Sequence, residues 1–116
     1  MASSANPVAR LRHMLDEAEA IQAATRGLTF EAFRDTWTIR RAVEHGLLII
    51  TEASKSLPAE LKAEQSAVPW GRVESLGNVL RHEYQDIDPK VLWRIVHDQL
   101  PTLVMTAREM LAKLGG

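Results

Sequence analysis

Asn6-Pro-Val-Ala-Arg-Leu-Arg-His-Met-Leu-Asp-Glu-Ala-Glu-Ala-Ile-Gln-Ala-Ala-Thr-Arg-Gly27 contains a helix start, a helix face and a helix stop in one run. Asn6 offers a side-chain oxygen to the unpaired N–H groups of a first turn, and Pro7 stands where its missing N–H costs nothing. Val8, Leu11, Leu15, Ala18 and Ile21 recur at three- and four-residue steps, which places them on one face of a helix. Gly27 accepts the left-handed conformation that ends a helix without a Cβ clash.

The same grammar continues along the chain. Thr29 caps a second helix, with Glu31 favourably placed in its first turn, and that helix runs to about Ser56 before Pro58. Its centre, Val43 and Leu47 to Ile50, is apolar nearly all round. Such a segment needs two burial partners, either two neighbouring helices or one helix and another subunit. A short helix is expected over Pro58 to Gln65. Pro69 and Trp70 open another that reaches Glu83 or Tyr84. Asp88 and Pro89 repeat the cap-then-proline signal for a last helix with Val91, Leu92, Ile95 and Val96 as its apolar stripe. Pro101 is expected to kink it, and Gly115 and Gly116 follow its end. No alternating apolar pattern of strand length occurs. The reading is therefore all-α: an up-and-down bundle of four main helices plus one short helix, paired as a homodimer, with residues 1–116 forming a single domain.

Length and composition agree with that scale. The 116 residues suffice for one core, and 46% hydrophobic with 25% charged residues argues against disorder. Lys and Arg total 14 and Asp and Glu total 15, a net charge of −1. That balance excludes a strongly basic nucleic-acid coat protein. The charges are evenly spread, six basic and six acidic over residues 1–50. The N-terminal residues lack the pattern of a secretory signal, and the longest apolar run, Leu47 to Ile50, is far below the roughly 20 residues that span a bilayer. A cytoplasmic location is expected, with no membrane partner. Without Cys there is no disulfide, thiol nucleophile or thiolate zinc site. No His follows a Glu by three residues, as a di-iron bundle requires, and Gly71 and Gly77 make no phosphate loop. His13 with Glu17 and His82 with Asp86 have one-turn spacing, but such pairs are frequent on helix surfaces. No metal and no cofactor are expected.

Chemistry concentrates in Trp70-Gly-Arg-Val-Glu-Ser-Leu-Gly-Asn-Val-Leu-Arg-His-Glu-Tyr84. Asn78 and His82 stand four apart on a helix, hence on one face near its C-terminal end. A His there can move a proton near neutral pH, and an Asn can orient a phosphate or sugar hydroxyl. The pair also fits an ordinary surface contact in which the helix dipole favours the His. Trp70 and Trp93 fit core or interface anchors. Arg40 and Arg41 fit either an RNA groove or a solvated helix face.

This stretch resembles the HepT-like branch of the HEPN superfamily. The residues carrying the resemblance are Trp70, Leu76-Gly77-Asn78-Val79-Leu80-Arg81-His82-Glu83-Tyr84, Asp88 and Val91-Leu92-Trp93. Ala42-Val43, Ile49-Ile50-Thr51-Glu52-Ala53, Leu57-Pro58 and Leu100-Pro101 extend it across about residues 10–112. The resemblance implies a small helical, metal-independent endoribonuclease acting as the toxin of a toxin–antitoxin pair, with RNA cut at a homodimer cleft. It implies His82 as acid or base and an Arg on the scissile phosphate. It also implies a minimal nucleotidyltransferase as antitoxin and partner, transferring AMP to Tyr84. The family's Arg immediately precedes the Asn, and this chain has Gly77 there. Two readings follow. Arg81, one turn further on and leaning back over the preceding turn, supplies the missing charge, so that Asn78, Arg81 and His82 form the catalytic set. Alternatively the domain is a catalytically degenerate helical binding module partnering the nucleotidyltransferase.

Overall fold

The computed structural model describes residues 6–83 and 87–116. Among them every regular element is helical: α1 (Pro7–Thr25), α2 (Phe30–Asp35), α3 (Trp37–Lys55), α4 (Ala59–Ala63), α5 (Trp70–His82), α6 (Pro89–Arg94), a π-helical turn (Ile95–Gln99) and α7 (Leu100–Lys113). The expected starts are found. Asn6 Oδ1 accepts from Ala9 N at 3.3 Å, Thr29 Oγ1 from Ala32 N at 3.0 Å and Asp88 Oδ1 from Lys90 N at 2.9 Å. Gly27 turns the chain after α1 with φ +78°.

Two expectations need correction. The helix expected from Thr29 to Ser56 is two helices, α2 and α3, separated at Thr36. Thr36 adopts extended backbone, φ −105° and ψ 97°, while its hydroxyl donates to the Ala32 carbonyl at 2.6 Å. This back-bond competes with helix continuation, as short hydroxylated side chains do. Arg40 holds the corner by donating to the Arg34 carbonyl. The last helix does not simply kink at Pro101. The chain widens beforehand, and Leu100 N donates to the Ile95 carbonyl five residues back. The wider turn absorbs the proline, which lacks an N–H and crowds the carbonyl four residues before it.

Four long rods result, namely α1, α3, α5 and the α6–π–α7 run, with α2 and α4 as short connectors. α3 lies between α1 and α5, while α7 packs on α1 and α2 on α6. Leu11, Met14, Phe33, Val43, Leu47, Ile50, Leu92, Leu100 and Met110 are the fully buried large apolar side chains of one continuous core. Val43, Leu47 and Ile50 of α3 are buried, and Leu48 and Ile49 half-buried. α1 and α5 of the same chain are the helices that flank this apolar centre. Trp70 is half-buried and its indole N–H donates to the carbonyls of Lys62 and Gln65 at 3.1 and 3.0 Å. Trp93 packs against Phe30, Phe33 and His97, with ring centroids 6.0, 5.4 and 4.0 Å away. Both tryptophans are anchors, as expected. No helix of the described residues is long and apolar enough to cross a membrane.

Candidate active site

The position of α5 follows from one close approach. Gly77 is buried, and a Cβ built on it would lie 2.7 Å from Thr51 Oγ1 and 3.0 Å from Thr51 Cβ. Only a residue without a side chain lets the two helices meet this closely. Thr51, itself 1% exposed, satisfies its hydroxyl by donating to the Leu48 carbonyl at 2.8 Å. The space beside Gly77 is thus filled by α3 and is not left open for Arg81.

Arg81 lies instead along the flank of this seam. Its guanidinium donates to Asn78 Oδ1 at 2.6 Å and forms an ion pair with Glu52 of α3. The reach to Asn78, three residues earlier, follows the N-terminal lean of helical side chains. Asn78 and His82 are exposed and Arg81 half-buried. With one side chain every 100°, Gly77 faces α3, while Asn78, Arg81 and His82 lie on one flank near the helix C-terminus. Asn78 and Arg81 are brought into contact, and His82 shares their flank. Tyr84, the AMP acceptor that the resemblance implies, and Asp86, one turn beyond His82, lie outside the described residues.

Glu52 was part of the resemblance but had no role before the helices were paired. The register explains its position. Thr51 meets Gly77, and Leu48 with Leu80 lines one small cavity, so α5 runs antiparallel to α3. Glu52 therefore projects to the same flank as Arg81. That cavity, about 190 Å³, is lined by Arg41, Glu44, His45, Leu48 and Leu80. Arg41 is fixed there by Glu44 at 2.5 Å and lies over the Trp37 ring, 5.6 Å from its centroid. A larger cavity of about 370 Å³ opens on the other flank of α5, beside Arg72, Val73 and Leu76 and the π-turn. Its lining includes neither Asn78, Arg81 nor His82. Among the described residues no three His, Asp or Glu side chains gather as metal ligands would. The cluster can therefore do two things with its own groups: bind an anion through a guanidinium now paired with a carboxylate, and transfer a proton through an exposed imidazole beside it.

Comparison with known proteins gives a consistent set of relatives. Residues 14–110 match the family model described as Ribonuclease HepT-like. A Caldanaerobacter subterraneus protein named as a candidate RNase is 33% identical over 103 residues, covering 89% of this chain and 92% of that one. A Thermococcus cleftensis protein provisionally named ribonuclease HepT is 33% identical over 93 residues, 80% of this chain and 84% of its own. A Methanocaldococcus jannaschii protein, also named as a candidate RNase, is 33% identical over 93 residues, 80% of this chain and 85% of its own. No solved structure matches at a significant level.

Proposed function

The chain belongs to the HepT-like ribonuclease family, and from that premise we propose that it is an endoribonuclease that cuts RNA without a metal, with His82 as the proton-transfer group. The observation that carries this reading is the exposed flank of α5 where Arg81 bonds Asn78 and His82 stands one turn beyond Asn78. The RNA 2′-hydroxyl attacks the adjacent phosphorus, His82 taking its proton. The bond to the 5′-oxygen breaks and that oxygen takes up a proton, leaving a 2′,3′-cyclic phosphate and a 5′-hydroxyl. Arg81 binds the phosphate and the charge that develops on it, after the phosphate displaces Glu52 from the guanidinium. Asn78 orients Arg81. A second copy of the chain supplies a second His82 at a dimer cleft, so that one imidazole acts as base and the other as acid. The biological role is that of a cytoplasmic toxin. A nucleotidyltransferase antitoxin neutralises it by adding AMP to Tyr84, which places a bulky negative charge beside the cleft and repels the RNA backbone.

Cleavage of RNA by purified wild type, Arg81→Ala and His82→Ala protein tests the catalytic set. Loss in both variants is expected. Loss with His82→Ala but not with Arg81→Ala removes Arg81 from the set. Light scattering should give twice the 13.0 kDa chain mass. Incubation with ATP and a minimal nucleotidyltransferase should add AMP to Tyr84, and a mass spectrum without the adduct rules that acceptor out.

One observation favours a second reading, a helical binding module with a degenerate site. The position of the family's Arg is Gly77, closed against Thr51, and the remaining guanidinium is paired with Glu52. No cleavage by any of the three proteins, together with tight binding to the nucleotidyltransferase, is the result that selects it.

A further inference from the structure

α3 carries an exposed feature that the proton-transfer site leaves unused. Trp37, at its first turn, is 60% exposed. Arg41 stacks over its ring at 5.6 Å and is itself held by Glu44, whose side chain is 10% exposed. The indole is thus held against a fixed cation and remains largely exposed. Trp37, Arg41, His45, Leu48 and Glu52 follow one another at steps of four, four, three and four. At 100° per residue they fall within an arc of about 80°, a single stripe along α3. From Trp37 to Glu52 the stripe is about 22 Å long at 1.5 Å per residue. Its far end is the Glu52–Arg81 ion pair, and its middle borders α5 through the cavity shared by Arg41, His45, Leu48 and Leu80.

We infer that this stripe is the approach track of a single RNA strand, with Trp37 as a stacking platform for an unpaired base several nucleotides from the phosphate held at Arg81. The inference rests on the ribonuclease reading and adds a specificity element to it. An exposed indole ring takes any base by stacking, while the phosphate at the far end of the stripe is taken by Arg81. This is how single strands are held without sequence reading. The chain's net charge of −1 offers no general attraction for RNA. Affinity then depends on a few local groups, of which Trp37 is the largest. Because a base must be unpaired to stack there, the track discriminates single-stranded from duplex RNA.

Fluorescence anisotropy on the full chain decides it, using a labelled 2′-O-methyl oligouridylate that lacks the attacking hydroxyl, and a duplex of the same length. Trp37→Ala should bind the single strand roughly tenfold more weakly, the loss of one stacked base. Trp37→Phe should recover most of that, and duplex binding should be the same in wild type and Trp37→Ala. Met105→Ala, at another exposed apolar residue (66%) on α7, should bind as wild type does. Equal single-strand binding by wild type and Trp37→Ala overturns the track and leaves the ribonuclease reading standing. Absence of RNA binding by the wild type overturns both. A change of oligomeric state in Trp37→Ala by light scattering also overturns the track, since it assigns Trp37 to contact with a second copy.

Discussion

Gly77 and Thr51 are in packing contact across the α5–α3 seam, at a distance that leaves no room for a Cβ on position 77. The position that reads in the sequence as a lost arginine is, in three dimensions, a helix-crossing point. Gly77→Ala should therefore destabilise the protein although alanine is the better helix former. The helix gain is about 1 kcal/mol, and the overpacking cost about 1–3 kcal/mol. Thr51→Ala removes the hydroxyl nearest the new methyl and should recover part of the loss, seen as positive coupling in urea unfolding of the two single variants and the double variant. Gly77→Arg should lower the unfolding midpoint further and should not raise RNA cleavage.

Glu52 holds Arg81 in the free protein, so it competes with phosphate for the same guanidinium. Glu52→Gln keeps the shape and removes the charge. Single-stranded RNA should bind more tightly to it than to wild type, with the difference shrinking as salt is raised. Thermal stability should change little, because the two side chains are 31% and 47% exposed and such pairs contribute about 0–1 kcal/mol. Tighter binding in Arg81→Ala than in wild type is the result that contradicts this assignment.

The Gly77–Thr51 contact and the Glu52–Arg81 pair also mark what is legible in the sequence. The caps at Asn6, Thr29 and Asp88 are local devices and were readable as such, as were the α-helical class and the anchors Trp70 and Trp93. The break at Thr36 was not, because helical periodicity runs through it and the cause is one hydroxyl turned back on Ala32. The roles of Glu52, Thr51 and Gly77 depend on the register between α3 and α5, which no single helix encodes. The apolar centre of α3 is open in the sequence to two neighbouring helices or to one helix and a second subunit; α1 and α5, the latter brought close by a glycine, are the neighbours the fold supplies.

Arg34 bonds both carboxylate oxygens of Asp35, at 2.8 and 3.0 Å. This hydrogen bonding, helped by the attraction between the two charges, holds the Asp35 carboxyl below its ordinary value and raises that of Arg34. Folding thus favours the ionised carboxylate. Its contribution is present above the unfolded-state pKa and is lost as pH falls through the folded one. Urea midpoints of wild type and Asp35→Asn should differ by a constant amount from neutral pH down to the carboxylate range, and converge below it. The difference should be small and should fade in high salt, because both groups are on the surface.

The π-turn at Ile95–Gln99 should be removable if Pro101 is removed with it. Its width keeps Leu92 and Val96 on the same buried side as Leu100, Leu103 and Ala107, at steps of four, four, three and four. Deleting the exposed Asp98 shortens one of these steps to three, which an uninterrupted α-helix accepts equally well. Deletion alone, however, forces the Pro101 ring against the carbonyl of the preceding turn, at a cost of about 3 kcal/mol. The deletion should therefore lower the unfolding midpoint sharply in wild type and much less in the Pro101→Ala background. An equal loss in both backgrounds would show that the turn is held by something other than the proline, with the Trp93–His97 stacking and the hydrogen bond between His97 Nδ1 and the Trp93 carbonyl as the next groups to test.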